Sequence, residues 1–254
     1  MTDVLCFVSS SVSRTSVLIL NHKISKLLKL KTIIITGTSR GIGAELVKQF
    51  VAEGHQVIAV SRKANPEFES LKNVFFKSVD LSNEAELIHF SNQVKAEFTS
   101  VDILIHNAGT IVNKPFEEIS AAEFEYVYKV NVFGVAALNR VILPLMNAGS
   151  HVLAISSMGG IQGSMKFPGL AAYSSSKGAV ITLSELLAEE YKDQGIAFNV
   201  LALGAVQTEM LQEAFPGYQA PINPLEMATY IKDFALTGNK FFNGKVLQVS
   251  STTP

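Results

Sequence analysis

From Lys31 onward the chain alternates short runs of β-branched and aliphatic residues with longer segments of mixed character. Seven short runs read as strands: Thr32–Thr36, Gln56–Val60, Val74–Ser78, Val101–Ile105, His151–Ile155, Ile196–Leu201 and Lys245–Val249. Between them the spacing predicts helices over about Ile42–Ala52, Asn83–Glu97, Ala121–Met146 and Ala172–Lys192. Ser82 and Glu86 stand close to an N-capping arrangement, and Gly195 falls where a helix stop is expected. Strands alternating with helices predict an α/β fold, a doubly wound parallel sheet of about seven strands covered on both faces. No repeat or low-complexity linker interrupts residues 31–254, so a single domain is expected there.

The first thirty residues differ. No acid occurs between Asp3 and Glu45, while Arg14, Lys23, Lys26, Lys29 and Lys31 do, with Ser9, Ser10, Ser11, Ser13 and Ser16 among them. This composition resembles an organelle transit segment; the plainer reading is an N-terminal extension, poorly ordered. Asn21, His22 and Lys23 interrupt the apolar runs, which excludes a membrane span. A secretory signal would carry its positive charge ahead of the apolar run, and here it does not. The expected location is cytoplasmic, with organelle targeting as the alternative.

Composition narrows the chemistry. The 254 residues are 48% hydrophobic and 17% charged, with a net charge of −1, so no overall basic field points to nucleic acid. Cys6 is the sole cysteine, which excludes an internal disulfide and a thiolate metal cage. His22, His55, His89, His106 and His151 show no pairing at metal-ligand spacing, so no metal is expected.

Directly after the first strand comes Thr36-Gly37-Thr38-Ser39-Arg40-Gly41-Ile42-Gly43, then a helical pattern. Glycines at such a turn let the backbone approach a pyrophosphate, and the helix N-terminus offers unpaired N–H groups to the anion. The second strand bears on which dinucleotide. A carboxylate at its end would favour the ribose hydroxyls of NAD, but the segment is Val60-Ser61-Arg62-Lys63. Arg62 and Arg40 would instead pair with a 2′-phosphate, so NADP(H) is preferred and NAD(H) is second.

Tyr173-Ser174-Ser175-Ser176-Lys177 begins a predicted helix and places Tyr173 and Lys177 on one face. A phenol near pKa 10 is a poor acid or base at neutral pH, and a neighbouring ammonium would lower that value. The pair is weak evidence alone.

With these motifs in order, the chain resembles the short-chain dehydrogenase/reductase family over about Lys31–Val249, in its compact branch of 3-oxoacyl-carrier-protein-reductase-like and carbonyl reductase members. The glycine loop is similar to the family's T-G-x-x-x-G-x-G, and Asp80-Leu81 to its adenine-contacting position. His106-Asn107-Ala108-Gly109 resembles N-N-A-G, with His in place of the first Asn. Asn131 matches the helix asparagine of a water relay, and Ser157, rather than Ser156, the substrate-orienting serine. The resemblance implies a Rossmann-type catalytic domain reducing a ketone or aldehyde, or oxidising the alcohol. In it Ser157 holds the carbonyl oxygen, Tyr173 donates the proton, Lys177 binds the nicotinamide ribose and Asn131 serves the relay. It also implies cofactor contacts from Gly37, Ser39, Arg40, Gly41, Ile42 and Gly43, from Ser61 and Arg62, and from Asn107, Ala108 and Gly109. Gly204, Val206 and Thr208 complete that set, together with a homodimer or homotetramer through the long helices.

Two departures stand out. Leu203 replaces the family's proline ahead of Gly204, which bears on loop rigidity near the nicotinamide. Glu209–Asn223, where the family builds a lid, is short and rich in Phe215, Pro216, Gly217, Tyr218 and Pro221, predicting an open pocket for varied small or medium carbonyls. Met165, Phe167 and Pro168, ahead of Tyr173, are expected to add apolar substrate contacts. NAD-linked alcohol oxidation is the nearest alternative. A silent cofactor-binding protein is the alternative from a different class, but Ser157, Tyr173 and Lys177 all stand.

Overall fold

The computed structural model describes residues 30–251, so the expectations placed on the N-terminal extension lie outside the described residues save Leu30. Seven strands run in the order of the sequence: β1 (Thr32–Thr36), β2 (Gln56–Ser61), β3 (Val74–Ser78), β4 (Val101–His106), β5 (Met146–Ser157), β6 (Ala197–Leu203) and β7 (Lys245–Val249). They form one sheet in the order β3-β2-β1-β4-β5-β6-β7, every pairing parallel. The helices are α1 (Gly41–Ala52), α2 (Glu84–Glu97), α3 (Ala121–Tyr128), α4 (Gly134–Ile142), α5 (Ala171–Glu190), α6 (Glu209–Ala214) and α7 (Pro224–Thr237).

Burial on both faces explains the apolar strand runs. Ile33, Ile35, Val57, Ala59, Ile103 and Ile105 pack one way, against Leu46, Val47 and Phe50 of α1 and Ile231 and Phe234 of α7. Ile34, Ile58, Leu104 and Val152 face the opposite way, against Leu87, Phe90 and Val94 of α2 and Leu138 and Ile142 of α4. Adjacent strand residues thus serve different layers, and a one-residue slip would exchange the two sets.

Several boundaries differ from the sequence expectation. The helix expected over Ala121–Met146 is divided: a π-helical turn, Lys129–Phe133, separates α3 from α4, and Leu143–Leu145 is a 3-10 turn containing Pro144. Proline has no N–H to continue the α ladder. β5 begins earlier than expected, at Met146, because Met146 pairs with Val101 before the register shifts to Ile103 with His151. The cap of α2 is Asn83 rather than Ser82, its side chain accepting from Ala85 and Glu86 N–H. Gly195 does adopt the left-handed conformation, at φ +71°, closing a 3-10 turn beyond α5. Leu203 belongs to β6 and pairs with both Ser157 and Val249, so sheet pairing holds the position the family gives to proline.

Two strand histidines are buried. His151 Nδ1–H donates to Ala235 O at 3.0 Å, and its Nε2 accepts from Asn199 Nδ2 at 3.0 Å. His106 Nε2–H donates to Asn139 Oδ1 at 2.8 Å, and its Nδ1 has no protein partner. Burial pushes both down to about 4. The folded protein therefore holds them neutral while the unfolded chain takes up their protons between pH 6.5 and 4. Their contribution to stability is complete above pH 6.5 and is lost as pH falls toward 4, by about 3 kcal/mol each. Urea unfolding across that window should show the loss, and His106→Asn or His151→Asn should flatten it. Equal acid limbs in wild type and both variants would contradict this account.

Candidate functional site

The sheet grows in opposite directions from β1 and β4, and the crevice beyond their C-terminal ends is where an α/β sheet binds ligands. Thr36, the last residue of β1, ties the two strands together. Its Oγ1 accepts from Asn107 N–H at 3.1 Å and Ala108 N–H at 3.0 Å. Asn107 Nδ2 returns the contact, donating to Thr36 O at 3.0 Å and Gly37 O at 3.2 Å. Neither Thr36 nor this part of Asn107 was singled out by the sequence, although both sit inside motifs that were.

The glycine loop packs tightly on that tie. A Cβ at Gly43 would lie 2.1 Å from Gly37 O and 2.6 Å from Asn107 Nδ2, so any side chain there would displace the loop. Gly41 adopts φ +60°, a conformation unfavourable for other residues. α1 then starts with no side-chain cap and no acid in its first turn, whereas Asn83, Ser120 and Asn223 cap α2, α3 and α7. Ser39 and Ile42 are half-buried around this turn. Its amide end is thus suited to an anion.

The cations expected near the ribose have partners. Arg62, exposed after β2, donates to Tyr126 Oη at 2.8 Å. Arg40 makes a two-pronged pair with Glu213 of α6, at 2.5 and 3.0 Å. Ser61 Oγ accepts from the buried Thr38 Oγ1 at 3.4 Å and donates to Lys63 O at 2.7 Å. At the end of β3, Asp80 Oδ1 accepts from Ser82 N–H and Oγ, and Leu81 is buried.

Across the crevice, Ser157 ends β5 with its Oγ accepting from Gly159 N–H at 3.3 Å, and its side chain favours the ionised form of Tyr173 at the start of α5. The competing serine, Ser156, is buried and donates to Lys177 O at 3.0 Å, which takes it away from Tyr173. Lys177 Nζ donates to Ile155 O at 2.8 Å and lies 5.7 Å from the centre of the Tyr173 ring. Asn131 occupies the π turn, where its Oδ1 accepts from Thr110 N–H at 2.8 Å and its Nδ2 donates to Thr110 O and Ser176 Oγ, both at 2.9 Å. Gly109 separates Lys177 from Asn131: a Cβ there would stand 3.4 Å from Lys177 Nζ and 3.5 Å from Asn131 Oδ1. Ser176 and Thr110, which complete this cluster, were not anticipated.

Protonation here follows burial. Tyr173 is shifted in the direction opposite to the one expected from its spacing to Lys177. Burial pushes the phenol up to about 12, partly opposed by Ser157, and the ammonium is turned to Ile155 O. Burial also brings Lys177 down to about 8.

Beyond β6, Gly204 N–H donates to Val249 O at 2.9 Å. Val206 bridges Ile222, and Thr208 caps α6 by accepting from Leu211 N–H at 3.2 Å. The Glu209–Asn223 segment thus contains a short helix, α6, where no helix was expected. Its base is fastened by Gln207 Oε1, which accepts from Ala220 N–H at 2.6 Å. Its far end is held by Asn113 Nδ2, which donates to Ala214 O at 2.7 Å. Met165 and Phe167 are exposed ahead of α5. Among the described residues no helix is long and apolar enough to cross a membrane.

A sequence model of the family described as short chain dehydrogenase matches residues 31–219. The chain belongs to this family. It is an oxidoreductase of the short-chain dehydrogenase/reductase kind, and its relatives carry matching names. A 3alpha-hydroxysteroid dehydrogenase of Mediterraneibacter gnavus is 34% identical over 210 residues, covering 78% of this chain and 82% of its own. An NADPH-dependent pterin aldehyde reductase of Arabidopsis thaliana is 31% identical over 204 residues, 75% of this chain and 83% of its own. Among solved structures, the RhlG/NADP active-site complex of Pseudomonas aeruginosa matches with a TM-score of 0.78 at 26% identity, covering 87% of this chain and 95% of that one. A 4-hydroxyisoleucine dehydrogenase complexed with NADH matches with a TM-score of 0.79 at 25% identity, covering 87% and 97%.

Asn131 satisfies both backbone polar groups of Thr110 from a buried position, so Asn131→Ala removes the partner of each. Denaturant titration should show a loss of about 1–3 kcal/mol. Unchanged stability would mean the π turn stands without Asn131.

Proposed function

We propose that this short-chain dehydrogenase reduces a ketone or aldehyde with NADP(H), or oxidises the corresponding secondary alcohol, with Tyr173 as the proton donor or acceptor. The observation that carries the reading is the convergence of three side chains: Ser157 acts on the Tyr173 phenol, and Lys177 Nζ lies 5.7 Å from the centre of the Tyr173 ring. Two hydroxyls that meet at the ends of β5 and α5 can both turn to a single carbonyl oxygen.

The residues present fit a dinucleotide. The uncapped end of α1, the left-handed Gly41 and the close-packed Gly37 and Gly43 leave a backbone cradle suited to a pyrophosphate. Gly37, Ser39, Arg40, Gly41, Ile42 and Gly43 would hold that group, and Asn107, Ala108 and Gly109 would flank the nicotinamide ribose with Tyr173 and Lys177. Asp80 and Leu81 would border the adenine, and Gly204, Val206 and Thr208 the carboxamide. When bound, the cofactor supplies or accepts the hydride.

The chain's own part is protonic and positional. Ser157 orients the substrate oxygen, and Tyr173, neutral at pH 7 with its pKa near 12, carries the proton that oxygen requires on reduction. Lys177, at about 8, is mainly cationic at pH 7 and favours charge developing on the phenolic oxygen once its ammonium is drawn from Ile155 O. Asn131 sits beside Lys177 across Gly109, where a proton relay to solvent would begin. Support for NADP comes from Arg40 and Arg62 and from the absence of an acid at the end of β2. The names of the pterin aldehyde reductase and of a diacetyl reductase of Staphylococcus aureus support a small or medium carbonyl substrate. Exposed Phe133 and Leu186, on the expected oligomer faces, support self-association.

NADPH consumption over a panel of ketones, aldehydes and quinones tests the reading. Tyr173→Phe should lower kcat by about 10²-fold or more while NADPH still binds; undiminished turnover would remove Tyr173 from the mechanism. For the wild type, kcat/KM for reduction should hold below pH 8 and fall as Lys177 deprotonates above it. Arg62→Asp should weaken NADPH by about tenfold relative to NADH, and an unchanged ratio would refute the phosphate assignment.

A further inference from the structure

Arg40 occupies two roles at once. It belongs to the glycine loop, where the proposed function needs a free guanidinium, yet it is already engaged by a carboxylate on the lid. Glu213 grips it with both oxygens, at 2.5 and 3.0 Å, using the same planar fork a phosphate would use. A second lid carboxylate approaches the same loop: Glu209 Oε2 lies 3.4 Å from where a Cβ on Gly41 would stand. Glu209 and Glu213 are four residues apart on α6 and so share a helix face. Both therefore put negative charge beside the glycine loop, and Glu213 puts it on the guanidinium that the 2′-phosphate would use.

We propose that Glu213 is a determinant of cofactor specificity: its carboxylate occupies Arg40 in place of the cofactor's 2′-phosphate and must be displaced before that phosphate is bound. The inference rests on the assignment of Arg40 to the 2′-phosphate. Displacement exchanges one anion for another on a single guanidinium, so it costs NADPH part of its advantage and costs NADH nothing. It also cuts one of the ties that hold α6, leaving the Asn113–Ala214 and Gln207–Ala220 contacts to retain the lid. Lid and 2′-phosphate are thereby linked, and the linkage acts in both directions. The pair is exposed, with side chains 49% and 61% accessible, so its hold is modest and salt-sensitive.

The test uses the full chain and two fragments that carry no hydride, adenosine 2′,5′-bisphosphate and adenosine 5′-phosphate. Titration calorimetry gives both dissociation constants in wild type, Glu213→Gln, Arg40→Ala and the double variant. Glu213→Gln should tighten the bisphosphate about two- to fivefold, a range set by the strength of an exposed ion pair, and leave the monophosphate unchanged. In the Arg40→Ala background the same substitution should change neither. Hydrogen exchange of residues 209–214 in the unliganded chain should rise in Glu213→Gln to the level the bisphosphate produces in wild type. Equal tightening of both fragments, or of neither, overturns the proposal. If wild type prefers the bisphosphate while Glu213→Gln has no effect, the inference alone fails. If neither protein distinguishes the fragments, the 2′-phosphate reading fails with it.

Discussion

The tie between Thr36 and Asn107 is the constraint on which the rest of the site depends. Two strands that diverge at the switch point would leave their last carbonyls and amides unmatched, and Thr36 Oγ1 and the Asn107 amide supply the missing partners. That closure fixes Gly37, against which Gly43 packs, and so sets the start of α1. It also fixes Ala108 and Gly109, the wall along which Lys177 and Asn131 approach each other. Both halves of the crevice are thus positioned from one small hydrogen-bonded knot.

Desolvation dominates the electrostatics around Tyr173 and Lys177. Tyr173 and Lys177 are each pushed toward their neutral forms, one upward and one downward, so the pair is less polarised than a picture of adjacent charges suggests. His106, in the place of an asparagine, is pushed the same way and keeps its ring neutral beside the cationic Lys177. Around the glycine loop the opposite regime holds. Arg40, Arg62 and Glu213 are exposed, and their interactions are weak and exchangeable. The chain thus has firm geometry around Tyr173 and Lys177 and loose, exchangeable charge around the glycine loop.

Much of the fold was legible because buried parallel strands are written as compact apolar runs; β1, β3 and β7 match their expected limits. Less legible was anything decided at a distance. The partner of Arg40 lies 173 residues away, and no local pattern announces it. The direction of the Tyr173 shift depends on burial by the surrounding loops, whereas spacing to Lys177 suggested the reverse. α7 was missed although Asn223, Pro224 and Glu226 form a capping box with proline at the first turn. The signal was present there and was local. The division of Ala121–Met146 was different in kind: a π turn has no composition of its own.

That π turn bears on how the family can vary. A wide turn holds a surplus residue within an otherwise helical segment, and the helix beyond it is rotated by about 100° for each residue gained or lost. Gly134 begins α4 pressed against Leu81 O, where a Cβ would stand 2.7 Å away, so only one angular setting of α4 is compatible with the end of β3. Asn131, three positions earlier, must meanwhile face Thr110. The length of the segment is locked at both ends, by a contact to one strand end and an asparagine to a loop. Across Lys129–Phe133 the architecture therefore holds both the identity of Asn131 and the number of residues around it.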